Sequence, residues 1–261
     1  MKISIVSLNQ IWEDKESNIR LIENLMFDAC RFSPNLVIFP EMTLTGFTMK
    51  SYQHAEKFND SPTVSFFSNL AEQYHCNIAF GLIVKTDSLP TNNLVIVSEE
   101  GSIISRYEKV HPFSYSDEDK YYSKGNEIVI TKICDINIGN SICYDLRFPE
   151  LFQALSKTCT VCINIANWPE RRVADWKLLL HSRALENQFF MIGVNRTGVD
   201  GKGLPYAKSS MVISPRGQDI EPIRISDTID FYEIDSSEAL EYRNSFPVKN
   251  DRQIDLYKTI L

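Results

Sequence analysis

The stretch Ile138–Glu150, IGNSICYDLRFPE, passes from small and apolar residues through a cysteine into a cluster of aromatic, acidic and basic side chains. Its first half completes the β-branched run INIGNSI (136–142), and its second half opens the helical pattern FPELFQALSK (148–157). A strand that turns directly into a helix is the building unit of α/β folds. Cys143 stands at that turn. Free cysteine is among the most buried residue types, so packing is its default role and any chemistry has to be argued from the rest of the chain.

Outward from this junction, further strand-like runs recur at 2–8, 36–39, 77–84, 93–98, 102–107, 160–166, 190–195, 210–214 and 229–234, about ten strands in all. Helical stretches lie between several of them: 15–32, with apolar Ile19, Ile22, Leu25 and Ala29, then 61–75 and 173–190. The alternation is broken by two hairpins, VSEEGSII (97–104) and MVISPRGQDI (211–220), so the sheets are expected to be mixed. Apolar runs on both sides of such turns suit strands buried on both faces, as when two sheets pack together with helices outside each.

With 261 residues, 43% hydrophobic and 23% charged, the chain suits one large globular domain over 1–261. A net charge of −7 argues against a nucleic-acid or anionic membrane surface and favours a small solute as partner. The opening MKISIVSLNQ reads as a first strand, and no run approaches the roughly 18 apolar residues that span a bilayer, so a cytoplasmic protein is expected. The six cysteines, at 30, 76, 134, 143, 159 and 162, form no dense disulfide framework and are expected to be reduced. CTVC (159–162) has C-x-x-C spacing but lies in an apolar run without a second ligand pair, which favours buried strand residues over zinc or redox chemistry.

Ligands of α/β sheets gather beyond the carboxyl ends of the strands. The residues that follow the strands here are Glu41, Lys109, Cys143, Asn167 with Trp168, and Arg196. Alone, Glu41 reads as a carboxylate opening a loop and Lys109 as a solvated strand end. Together with a cysteine they supply a base, a cation and a nucleophile, the set needed for thiol attack on an amide. A turn into a helix exposes N–H groups near the sulfur, and with a nearby lysine this predicts a thiolate-favouring site. GNSIC lacks the last glycine of a serine-hydrolase elbow, so Ser141 reads as a strand residue. None of the four histidines, 54, 75, 111 and 181, carries a papain-like signature, and His111, beside Lys109, reads as structural or supporting.

VIFPEM around Glu41, RYEKVHPF around Lys109 and SICYDLRFPELF around Cys143 resemble the signatures of the nitrilase, or carbon-nitrogen hydrolase, superfamily over nearly the whole chain. The resemblance implies an α/β fold, a four-layer α-β-β-α sandwich of two mixed sheets packed face to face, in a homodimer or larger homo-oligomer without metal or organic cofactor. It adds Glu118 as a second glutamate, in SYSDEDKYYSKGNE, which the sequence alone reads as a solvated loop. Residues 162–217 look most like the bacterial omega-amidase branch, which hydrolyses the terminal amide of 2-oxoglutaramate, 2-oxosuccinamate and similar acids. Pro112 and Lys124 depart from the residues common in the family.

The mechanism expected on this basis has Glu41 as base, Cys143 as nucleophile, and Lys109 with the Tyr144 backbone N–H holding the oxyanion. Glu118 is expected to support Lys109. Trp168 and Tyr144 are candidate pocket walls, and Arg171 and Arg172 are candidates for a substrate carboxylate. Gly198, Gly201 and Gly203 are read as a flexible loop. N-carbamoyl-amine or aliphatic amide hydrolysis, nitrile hydrolysis and a non-catalytic binding role stay open as alternatives.

Overall fold

The computed structural model describes residues 1–259, so the last two residues of the expected 1–261 domain lie outside the described residues. The first half of the chain contributes β1 (Lys2–Val6), β2 (Leu36–Ile38), β3 (Asn77–Val84), β4 (Thr91–Val97) and β5 (Ile103–Glu108). Next come β6 (Ile130–Ile133), β7 (Ile136–Ile142), β8 (Val161–Ala166) and β9 (Phe190–Asn195). A small pair, β10 (Gly198–Val199) and β11 (Pro205–Tyr206), precedes β12 (Met211–Ile213), β13 (Asp219–Ile220), β14 (Ile223–Arg224) and β15 (Ile229–Glu233). The helices are α1 (Lys15–Ala29), α2 (Ser51–His54), α3 (Pro62–Tyr74), α4 (Glu118–Tyr121), α5 (Pro149–Leu155), α6 (Val173–Asn187), α7 (Ser237–Ser245) and α8 (Ile254–Lys258).

One sheet has the order β14-β15-β1-β2-β3-β4-β5 and the other β13-β12-β9-β8-β7-β6. β1, β2 and β3 run parallel, as do β7, β8 and β9, while the hairpins add antiparallel strands at the edges. Alternate side chains explain the layering. Ile3, Ile5 and Ile38 face Ile142, Ile163 and Val194 in the core between the sheets. On the opposite face of the first sheet, Val37, Phe39 and Phe80 pack under Met26 and Phe67 of α1 and α3. On the outer face of the second, Cys162 and Met191 pack under Phe152, Trp176 and Leu180 of α5 and α6. The result is the expected four-layer α-β-β-α sandwich with two mixed sheets.

Local chemistry sets the helix ends. Asp14 caps α1 by accepting from the Ser17 N–H, and Ser61 caps α3 with Pro62 at its first position. The buried stripe of α1 is Asn18, Ile22, Met26 and Ala29, whereas Ile19 and Leu25 are only partly covered. The stripe is rotated from the apolar pattern because Asn18 turns inward, donating to the carbonyl oxygens of Ile11, Asp14 and Leu44. Cys162 is in β8 and Cys159 just precedes it, both buried, and all six cysteines are free thiols.

Candidate active site

Glu41 lies three residues beyond β2, on a segment held from several sides. Gln10 Nε2 donates to the carbonyl oxygens of Glu41 and Met42, each at 2.9 Å, and Asn167 Nδ2 donates to that of Glu41 at 2.6 Å. β3 passes so close that a Cβ at Gly81 would stand 2.1 Å from the Met42 nitrogen, so only glycine allows this approach. Lys109 directly follows β5, and its backbone N–H donates to the Asn92 carbonyl oxygen at 2.8 Å. Cys143 follows β7 with φ +47°, a left-handed conformation uncommon for a non-glycine residue, and begins a 3₁₀ turn over Cys143–Arg147. That turn is anchored by buried Asp145, which accepts from the backbone N–H groups of Ile142 and His111 and from the Tyr107 hydroxyl.

Lys109 Nζ donates to Glu41 Oε1 at 2.9 Å and to Glu118 Oε1 and Oε2 at 3.0 and 2.9 Å. The exposures of Lys109, Glu41 and Glu118 are 1, 0 and 0%, so the cluster is cut off from bulk water. Glu118, read from sequence alone as part of a solvated loop, opens the single-turn helix α4 and points inward, accepting also from the Phe113 N–H. The other oxygen of Glu41, Oε2, accepts from the Asn167 N–H at 2.9 Å. Burial opposes the charge of Lys109, but Glu118 and Glu41 outweigh it and hold its pKa well above the usual lysine value. Burial raises the pKa of Glu118, with Lys109 opposing.

Cys143 departs from the expectation of a thiolate. Burial pushes its pKa well above that of an ordinary thiol, Glu41 adds to the rise, and Lys109 only partly offsets them. The 3₁₀ turn separates the sulfur from α5, which starts only at Pro149, so no helix N-terminus offsets the burial and the charge of Glu41. A neutral thiol beside a buried glutamate is equipped for proton transfer during attack rather than for prior ionisation.

Cys143 opens on a cavity of about 300 Å³ lined by Tyr144, Trp168, Arg147, Arg171, Arg172 and Tyr206, among others. Trp168 is locked by its indole N–H, which donates to the Arg172 carbonyl oxygen at 2.7 Å, and by Asn195, bonded to its backbone on both sides. Arg147 is paired with Asp175 at 2.6 Å. Arg172, half-buried with its guanidinium 5.2 Å above the Phe113 ring, has no carboxylate partner among the described residues, and neither does exposed Arg171. Burial and then the charge of Arg171 lower the pKa of Arg172, so this wall is a field that an anion would relieve.

The glycines read as a flexible loop form the β10–β11 hairpin instead. Asp200 ties it down by accepting from the N–H groups of Lys202 and Leu204, each at 2.9 Å, and from the Tyr206 hydroxyl at 3.1 Å. Arg196, also flagged at a strand end, is buried behind the cavity, 4.6 Å from the Tyr206 ring centre, and donates to the Gln10 carbonyl oxygen. His111 bonds Asp145 and stacks on Phe148 at 3.8 Å, the supporting position expected of it. Sequence reading passed over Asn92, Gln10, Asp145 and Asn195. Their signal was weak, since a polar residue in or beside a strand has no characteristic spacing, and Asn92 lies just outside the apolar run at 93–98, although the structure places it inside the fully buried β4.

Comparison with known proteins adds the following. The profile of the family described as Carbon-nitrogen hydrolase matches residues 2–244. The omega-amidase YafV of Escherichia coli (strain K12) is 32% identical over 255 residues, covering 96% of each chain. The 2-oxoglutaramate amidase of Bacillus subtilis (strain 168) is 32% identical over 225 residues, covering 85% of this chain and 86% of its own. Among solved structures, a CN-hydrolase superfamily protein of Xanthomonas campestris with an arsenic adduct in its active site is 30% identical and superposes with a TM-score of 0.90, covering 97% of both chains.

Proposed function

The chain belongs to the carbon-nitrogen hydrolase family, and from that premise we propose that it is an omega-amidase, releasing ammonia from the terminal amide of 2-oxo acid amides such as 2-oxoglutaramate and 2-oxosuccinamate. The observation that carries the reading is the buried Glu41–Lys109–Glu118 cluster behind a cavity that Cys143 lines, whose wall also holds Arg172, without a carboxylate partner among the described residues. Amide chemistry explains the first part and an acidic substrate the second.

In the proposed reaction, Glu41 accepts the Cys143 proton as the sulfur bonds to the amide carbon and the carbonyl electron pair moves onto oxygen. Lys109 Nζ and the Tyr144 backbone N–H hold that oxyanion. Collapse breaks the C–N bond while Glu41 passes its proton to the leaving nitrogen, so ammonia departs and a thioester remains. Water then attacks the thioester as Glu41 takes its proton, the C–S bond breaks, and the thiol is restored with release of the carboxylic acid. Glu118 orients Lys109 throughout. Arg172, with Arg171 at the mouth, receives the distal carboxylate of the substrate, between the walls formed by Trp168 and Tyr144.

The test is ammonia release from 2-oxoglutaramate, N-carbamoylputrescine and simple aliphatic amides in parallel. Preference for the 2-oxo acid amide, with Arg172→Glu raising KM for it more than for a neutral amide, is the expected result; equal KM changes for both would remove Arg172 from carboxylate binding. The proposal extends to a cytoplasmic homodimer or larger homo-oligomer. Supporting it are six cysteines without a disulfide among the described residues, and exposed Leu178 and Leu185, seven residues apart on one face of α6. No helix among the described residues is long and apolar enough to cross a membrane.

A further inference from the structure

One ammonium serves two buried carboxylates in this site, and a second donor faces it. Asn92, near the start of β4, donates from Nδ2 to Glu41 Oε1 at 2.7 Å and to Glu118 Oε1 at 3.2 Å. These are the same two oxygens that accept from Lys109 Nζ, at 2.9 and 3.0 Å. The ring of two donors and two acceptors settles the orientation of the side chain, since the reverse placement would set the Asn92 carbonyl oxygen against two carboxylates. Asn92 Oδ1 is buried and finds no hydrogen-bond partner among the described residues. What sets this asparagine apart is where its donors go: both of its hydrogen bonds are made to the buried carboxylates of the cluster.

We propose that Asn92 is a positioning residue for the amidase reaction: its carboxamide clamps Oε1 of both glutamates, so that Glu41 offers Oε2 to the Cys143 proton and the pair stays ionised around one lysine. The inference rests on the roles given above to Glu41, Lys109 and Cys143. Its physical basis is that two buried carboxylates with a single cation tend to retain a proton, and N–H donors to the charged form oppose this. Burial already drives Glu118 in that direction. A proton held on Glu41 would leave nothing to receive the one on sulfur. The other titratable groups facing the pair are Lys109, Cys143 and Tyr122, whose hydroxyl is engaged by the Thr48 carbonyl oxygen at 2.6 Å.

Two variants test the proposal: Asn92→Leu, of similar volume without donors, and Asn92→Asp, which keeps the shape and adds a third carboxyl. Ammonia release is measured against pH, together with iodoacetamide alkylation of Cys143 followed by mass spectrometry, which needs no assumption about substrate. For Asn92→Leu, kcat should fall by about tenfold or more with KM within about twofold, and the acid limb of kcat/KM should move up by about one pH unit. Asn92→Asp should shift further, and its unchanged shape keeps the test decisive if the leucine variant does not fold. A folded variant of either kind with wild-type kcat and an unmoved acid limb would overturn the proposal. Ammonia release by Cys143→Ala would instead overturn the catalytic reading beneath it, so the two failures are told apart.

Discussion

Cys143 carries a thiol that its surroundings keep protonated, and this has consequences at the scale of single residues. Because burial first and Glu41 second raise its pKa, the alkylation rate of wild-type Cys143 should show no ionisation near the ordinary thiol value of about 8.5. Glu41→Gln removes one of the raising charges, so its alkylation midpoint should move to lower pH, while ammonia release drops by roughly 10² to 10⁴ through loss of the base. A wild-type midpoint near 8.5, or an upward shift in the variant, would contradict this electrostatic picture. Cys143→Ala should abolish turnover with the melting temperature preserved, and Cys143→Ser should be nearly inactive because the hydroxyl is the weaker nucleophile. Glu41, Lys109 and Cys143 could be singled out because each follows a strand closely, within a motif of its own. Asn92 was not, because its importance is a pair of distances to residues far away in sequence.

At the scale of elements, the catalytic geometry depends on how closely the strands and the loops beyond them can approach. Gly81 in β3 is the sharpest case: a methyl group there would meet the Met42 nitrogen and the Glu41 backbone, neither of which is a flexible side chain. Gly81→Ala should cost about 1 to 3 kcal/mol of stability, read from urea denaturation, and lower kcat by displacing Glu41. Full activity at wild-type stability would show that the segment beyond β2 yields freely. The sequence displayed β3 as an apolar run, but a glycine in a strand looks the same whether it faces empty space or another backbone. Similarly, the two hairpins were readable from their Gly-containing turns, and the 198–206 hairpin was not, because Asp200 closes it through contacts within the loop rather than by a standard turn pattern. The misreading of Glu118 has the same origin: SYSDEDKYYSKGNE has a solvated composition, yet one of its carboxylates is drawn inward by a lysine on another element.

At the scale of the molecule, Leu178 and Leu185 are 68 and 51% exposed on a helix whose opposite face is core. If they meet a second copy, Leu178→Arg should lower the molar mass seen by sedimentation, whereas an unchanged mass would place the interface elsewhere. The sequence by itself determined the four layers and singled out Glu41, Lys109 and Cys143 as residues beyond strand ends. Hydrophobic periodicity states which faces must leave water, and the end of a strand is a position that pattern alone can locate. Only the tertiary structure decided that burial raises the pKa of the thiol, that Glu118 is buried, that Arg172 lines the cavity half-buried and without a carboxylate partner among the described residues, and that Asn92 joins the two glutamates. These are matters of desolvation and of distances between elements remote in the chain, and such energies come into being when the two sheets close on one another.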